Sequence, residues 1–191
     1  MNNVGKDVRK ARKKRTLLKT IRITQELDDL LQKDAKVKRV SVNALISMIM
    51  TKYAEMDRFN EKFATITLKR ESLKAMLDCM TGDEIRDIAQ EMGSRIPKEF
   101  MLLWFKRVNL ESYLEYLSLI CRYNGFAEYE VEGGDEREGK STEYSITMVH
   151  DMGEKWSTFL LELIDTGMRN ILGIRPSFEI SKNSVVARFS P

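Results

Sequence analysis

One histidine and two cysteines among 191 residues leave little material for metal or disulfide chemistry. Cys79 and Cys121 are far apart and belong to no CxxC pair. A disulfide framework is excluded, and a reducing cytoplasm is the expected setting. His150, alone in the chain, cannot be one of two imidazoles on a metal, so no metal or other cofactor is expected. Long apolar runs are also missing. None approaches the roughly 18 residues that cross a bilayer, so a membrane-spanning protein is not expected. The opening MNNVGKDVRKARKKR lacks the apolar core of a secretory signal. GxGxxG, GxxxxGK[ST], HExxH and GxSxG signatures are all absent, and no enzymatic activity is expected.

What is present is a globular composition with a heavy charge load, 42% hydrophobic and 32% charged. The length fits one large domain or two small ones. The net charge of +3 conceals an asymmetry. Residues 1–53 carry 14 Lys and Arg against 5 Asp and Glu, a net of +9, and the remainder carries 18 against 24, a net of −6. Self-repulsion of this kind is relieved when the basic part meets a polyanion. Three stretches follow: a basic arm over 1–17, a compact unit over 18–56 and a larger domain over 57–191. In the arm, Lys6, Arg9, Lys10, Arg12, Lys13, Lys14 and Arg15 are opposed only by Asp7. Cations so closely spaced repel one another, which predicts a disordered arm that binds phosphates.

Leu18 to Ile23 alternates, with Lys19, Ile21 and Ile23 on one side and Leu18, Thr20 and Arg22 on the other, which predicts a short strand. Thr24 is a good N-cap, Glu26 sits in the first turn, and Leu27, Leu30, Leu31 and Ala35 make one apolar stripe of a first helix. After a tight connection, Ser41 caps a second helix with apolar residues at Val42, Leu45, Ile46, Ile49, Tyr53 and Met56. Met48 and Met50 lie off that stripe, so the helix is apolar on more than one side. About 40 residues cannot bury an adequate core alone, and a lone strand leaves its backbone groups unpaired. Both difficulties vanish if two chains pair their strands antiparallel and pack their second helices together. A homodimer or higher oligomer is therefore expected.

The segment KTIRITQELDDLLQKDAKVKRVSVNALISMIMTKYAEM resembles a ribbon-helix-helix DNA-binding domain of the Arc/MetJ/CopG type. The resemblance covers about 40 residues. It implies a two-stranded ribbon in the major groove, with outward side chains reading base edges. Its readers fall on Thr20 and Arg22, the latter able to contact guanine in bidentate fashion. Leu18 stands where the family usually has a third polar reader. The second helix would grip a phosphate through the backbone N–H groups of Ser41, Val42 and Asn43, with Lys38 and Arg39 adding positive charge. Arg12, Lys13, Lys14 and Arg15 would add phosphate contacts from the arm.

Residues 57–191 carry their own apolar pattern. Phe63 to Leu68 alternates as a weak strand, and Glu71 to Met80 reads as a helix. A helix capped by Thr81 is expected to stop at Gly93, with another near Lys98 to Arg107 and a fourth from Asn109 to Asn124-Gly125. Then come an antiparallel pair around Ala127–Val131 and Tyr144–Met148, a long helix over Gly153 to Gly173, and a last hairpin turning at Lys182-Asn183. Four helices and β-β-α-β-β predict an α+β domain with a helix covering one face of an antiparallel sheet. Some ribbon-helix-helix regulators append an α+β domain that binds nickel through several histidines and a cysteine, and a single histidine argues against that here. His150 and Asp151 lie between a strand and a helix. They are read as a local hydrogen bond and a helix cap.

Two function classes remain. The first is a dimeric transcription regulator on double-stranded DNA, with a C-terminal domain that senses a small-molecule effector or assembles dimers. The second is an antitoxin-type module that binds its operator and a partner toxin. Residues 57–191 are longer and better patterned than an antitoxin tail, which favours the first.

Overall fold

A computed structural model of the chain describes residues 17–63, 65–133 and 143–191. The basic arm, including Arg12, Lys13, Lys14 and Arg15, lies outside these residues, as does most of the loop following Gly133. The element order is α1 (Gln25–Lys38), α2 (Val42–Lys52), a π-helical turn (Tyr53–Asp57), α3 (Arg58–Asn60), a 3-10 turn (Glu61–Phe63), α4 (Arg70–Asp78), α5 (Gly82–Trp104) and α6 (Leu110–Asn124). There follow β1 (Glu128–Glu132), β2 (Tyr144–Val149), α7 (Glu154–Gly167), a second π-helical turn (Met168–Leu172), β3 (Ser177–Ile180) and β4 (Ser184–Phe189). The class is α+β, as expected. Two compact units divide inside α2, one ending at Met48 and the other running from Ile49 to Pro191.

The second unit is built around α7. Its strands form one antiparallel sheet in the order β1-β2-β4-β3. Alternation along β2 and β4 puts Ile146, Met148, Val185, Ala187 and Phe189 on a single buried face, since the register pairs Ile146 with Ala187 and Met148 with Val185. Trp156, Phe159, Leu160, Leu163 and Ile164 recur at helical spacing along α7, and all are buried. The two sets share one core, in which a fully buried aliphatic side chain is worth about 1.5–3 kcal/mol. α5 packs along α7, giving the layers sheet, α7 and α5.

Local chemistry sets most of the helix ends. Thr81 and Glu84 form a reciprocal capping box at α5, the Thr81 N–H donating to Glu84 Oε2 at 2.7 Å and the Glu84 N–H to Thr81 Oγ1 at 3.3 Å. The Thr81 N–H, together with the Thr81 hydroxyl that donates to the same Oε2 at 2.8 Å, holds the Glu84 carboxyl below its usual range. Asn109 and Ser112 do the same for α6, which ends at Gly125 with φ 67°. The C-terminus of α4 is closed from a distance. Lys155 Nζ donates to the carbonyls of Leu77, Asp78 and Met80 at 3.1, 2.9 and 2.7 Å, placing a cation where the helix dipole is negative.

Several expectations are corrected. Gly93 does not stop a helix, and the two helices expected around it are one helix of 23 residues with Pro97 inside it. Gly93 is needed for close approach: a Cβ there would lie 2.6 Å from the Leu163 carbonyl oxygen of α7. Gly167 plays the same part under Tyr113, whose hydroxyl would be 2.5 Å from an added Cβ. Among the described residues of Phe63–Leu68 no strand forms. Phe63 belongs to the 3-10 turn, and Ile66 and Leu68 are exposed with no strand beside them among the described residues. The helix expected over Gly153–Gly173 is α-helical only to Gly167 and closes through the second π-helical turn at Gly173, φ 72°. Asp151 does not cap α7. Gly153 occupies the cap position without a side-chain bond, and Asp151 pairs with Arg70 at 2.7 Å.

Candidate nucleic-acid interface

α1 begins where Thr24 Oγ1 accepts the Leu27 N–H at 3.3 Å. Glu26 and Asp28 lie in its first turn, Lys36 and Lys38 in its last. The helix buries Leu31 and Ala35 against Leu45 of α2, with Val40, Val42 and Ile46 partly covered. Three buried residues make a very small core.

The connection between the helices is the most constrained part of this unit. Arg39 has φ 55° and ψ 41°, in the left-handed region. Its N–H donates to the Lys36 carbonyl at 3.2 Å, and the Val40 N–H reaches the Ala35 carbonyl at 3.0 Å, a Schellman closure. Glycine is the usual occupant of that position, and a side chain there costs roughly 1–2 kcal/mol. A cation is thus held where glycine would sit with less strain. Arg39→Gly should leave thermal stability unchanged or raise it by up to about 1 kcal/mol, because relief of strain outweighs the entropy glycine loses on folding. On the reading developed below, the same substitution weakens DNA binding. A variant that is less stable than the parent would show that the Arg39 side chain supports the fold instead.

At the start of α2, Ser41 Oγ accepts the Ala44 N–H at 3.1 Å, and the Ser41 carbonyl takes the Leu45 N–H at 2.9 Å. Among the described residues the N–H groups of Val42 and Asn43 meet no acceptor. α1, α4, α5, α6 and α7 each carry an acidic residue in the first turn, and α2 carries none. Its positive dipole end is left unmatched, with Lys38 and Arg39 just ahead of it. Neither of these cations, nor Arg22, makes an ion pair among the described residues.

Thr20 and Arg22 are exposed, on a segment that forms no strand within one chain. Residues 17–23 have no backbone hydrogen-bond partner among the described residues, so none of these fixes a ladder there. The expected inward face of this segment is open: Ile21 and Ile23 are 56% and 39% exposed, as are Leu27 and Leu30 of α1 at 43% and 56%. Ser41, Val42 and Asn43 are brought together with Lys38 and Arg39. No hydrogen bond or ion pair joins Thr20 or Arg22 to that group among the described residues. The left-handed Arg39 was not visible in the sequence, because no glycine or asparagine marks the position.

His150 belongs to a structural network. The Met152 N–H donates to His150 Nδ1 at 3.3 Å, which leaves the proton on Nε2 to be donated to Ser157 Oγ at 3.0 Å. The buried Ser157 hydroxyl donates onward to the Ser181 carbonyl at 2.7 Å. Partial burial lowers the His150 pKa from its ordinary value, opposed by nearby Asp151. The folded state therefore resists protonation, while the unfolded chain takes up the proton near its ordinary value of about 6.5. Stability is fully present above that value and declines as pH falls toward the lowered folded one. His150→Gln should flatten this part of the profile, read as the difference in unfolding midpoint between variant and parent from about pH 7.5 to about pH 5. Parallel profiles would mean that His150 is not the titrating group.

Among the described residues no cluster of His, Cys, Asp and Glu could hold a metal, and no helix is long and apolar enough to cross a membrane. No family model matches the chain, and no curated protein or solved structure matches it either.

Proposed function

We propose that the chain is a dimeric, sequence-specific DNA-binding regulator, with a second domain that senses a ligand or joins dimers. The observation that carries the reading is the start of α2, where two free backbone N–H groups face no carboxylate in their own turn and follow Lys38 and Arg39. A backbone phosphate satisfies all of these at once. The exposed Ile21, Ile23, Leu27 and Leu30 supply the reason for a dimer, since a second copy of the segment would both pair its backbone and cover them. Thr20 and Arg22 would then face the groove. The antitoxin alternative would leave the rest of the chain as a partner-dependent tail, and a second unit with its own large core favours the regulator.

The test is selection of bound duplexes from a random pool, followed by binding at several salt concentrations. Enrichment of a short inverted repeat is expected, with log affinity falling by about 0.9 per contacted phosphate for each unit of log salt. On the selected site Arg22→Ala should cost about 1–3 kcal/mol and relax the preference at one position of each half-site. An unenriched pool would reject sequence-specific recognition. An equal loss on all sequences would make Arg22 a phosphate contact.

A further inference from the structure

A cavity of about 220 Å³ lies inside the second unit, between the π-helical turn with α3, the end of α5, and α6. This is below the size of a drug-sized site and suits a small ligand. Its apolar walls are Phe59, Trp104, Phe105 and Leu119. Phe59 and Trp104 meet edge to face at 5.2 Å, and Trp104 and Phe105 are 6.1 Å apart. These rings pack against one another and form one aromatic wall of the cavity, against which a further ring can rest.

Four charged residues also line it, and their pairing separates them into two sets. Glu55 is already matched, with Arg122 Nη1 at 3.6 Å and the Tyr123 hydroxyl donating to it at 2.6 Å. Arg58 and Glu115 make no ion pair among the described residues, and the Arg58 guanidinium rests 4.4 Å over the Phe59 ring. Among the described residues one unpaired cation and one unpaired carboxylate thus border the aromatic wall. The Trp104 Nε1–H is the one buried side-chain polar atom left without a partner among the described residues, and a donor in that state is costly unless something accepts from it. The wall contributed by Ala54 and Glu55 comes from a π-helical turn, a geometry that recurs at functional sites.

We propose that this cavity binds a free aromatic α-amino acid, its ring against the wall of Phe59, Trp104 and Phe105, its carboxylate on Arg58 and its ammonium on Glu115. The zwitterion matches both unpaired charges, which a simple aromatic acid or amine does not. This binding does not depend on the DNA reading and is measured without DNA. Calorimetric titration of the full chain with L-phenylalanine should give saturable binding. 3-Phenylpropanoate and 2-phenylethylamine, each lacking one charge, should bind at least about tenfold more weakly. Arg58→Gln and Glu115→Gln should each lower affinity for L-phenylalanine by about tenfold to a hundredfold, with the unfolding midpoint held as a control for folding. No saturable binding of phenylalanine, tyrosine or tryptophan at millimolar concentration would overturn the proposal. Unchanged affinity in both variants, or leucine binding as tightly as phenylalanine, would overturn it as well.

Discussion

Gly93→Ala is expected to destabilise the second unit by about 3 kcal/mol, and Gly93→Val by more, out of a total of about 5–15 kcal/mol for a protein of this kind. Alanine is the better helix former, by about 1 kcal/mol in an exposed position. Here the sign is reversed by contact. The new Cβ would lie 2.6 Å from the Leu163 oxygen and 3.2 Å from that residue's carbonyl carbon and Cα. These are backbone atoms of a packed helix, so α5 and α7 must move apart and loosen the interface on which the core rests. Gly82→Ala is the matched control. Its nearest neighbours are the far end of the Arg86 side chain at 3.7 Å and 3.9 Å, and its effect should be small. Thermal unfolding of the variants decides the matter, at about 2–4 °C per kcal/mol for a chain of this length. If Gly93→Ala melts at or above the parent temperature, the two helices do not approach as described.

Replacing Ile21 and Ile23 together with lysine is expected to give a monomer whose affinity for the selected DNA site is lower by about a thousandfold or more. In one chain these side chains are largely or partly open to water, so the substitution removes little cover within the chain. Most of its effect must come through a second copy. Charges on the covered face of a paired ribbon would be buried without partners, which opposes dimerisation strongly. A monomer keeps only half of the site. Its binding should approach the non-specific range of about 10⁻⁴–10⁻⁶ M at physiological salt, against about 10⁻⁸ M or tighter for a specific complex. On the proposed reading the cost appears even though two cations are added, because base readout would need the ribbon that two chains would make together. Light scattering on the full chain and gel shift on the selected duplex report the two halves of the prediction. A double variant that remains dimeric and binds the duplex as the parent does would exclude the ribbon.

Features that depend on a few neighbouring residues were legible in the sequence. Thr24, Ser41, Thr81 and Asn109 cap the helices they were expected to cap, because a side-chain oxygen three residues ahead of an N–H needs no distant partner. Alternation over β2 and β4 survives in the centre of the sheet, where one face is buried and a slip of one residue would expose it, whereas on the edge strands β1 and β3 the expected inward residues Val131 and Ile180 are exposed. The group at the start of α2 is local in the same sense, its five residues Lys38, Arg39, Ser41, Val42 and Asn43 being consecutive but for Val40.

Only tertiary contact decided the rest. Gly93 reads as a helix end in isolation and becomes a point of helix contact once Leu163, 70 positions away, is packed against it. Lys155 closes a helix whose last residue, Asp78, precedes it by 77 positions, and no local pattern announces such a bond. The cavity gathers Phe59, Trp104 and Leu119 from three separate segments, each apolar for reasons that could equally have been core packing. Phe63–Leu68 shows the converse. Its alternation satisfies the local rule for a strand, yet a strand exists only where another strand supplies its hydrogen bonds, and among the described residues none does. Short-range capping and periodicity are encoded in adjacent residues, whereas ladders, close helix approach and cavities depend on which distant groups the fold brings together.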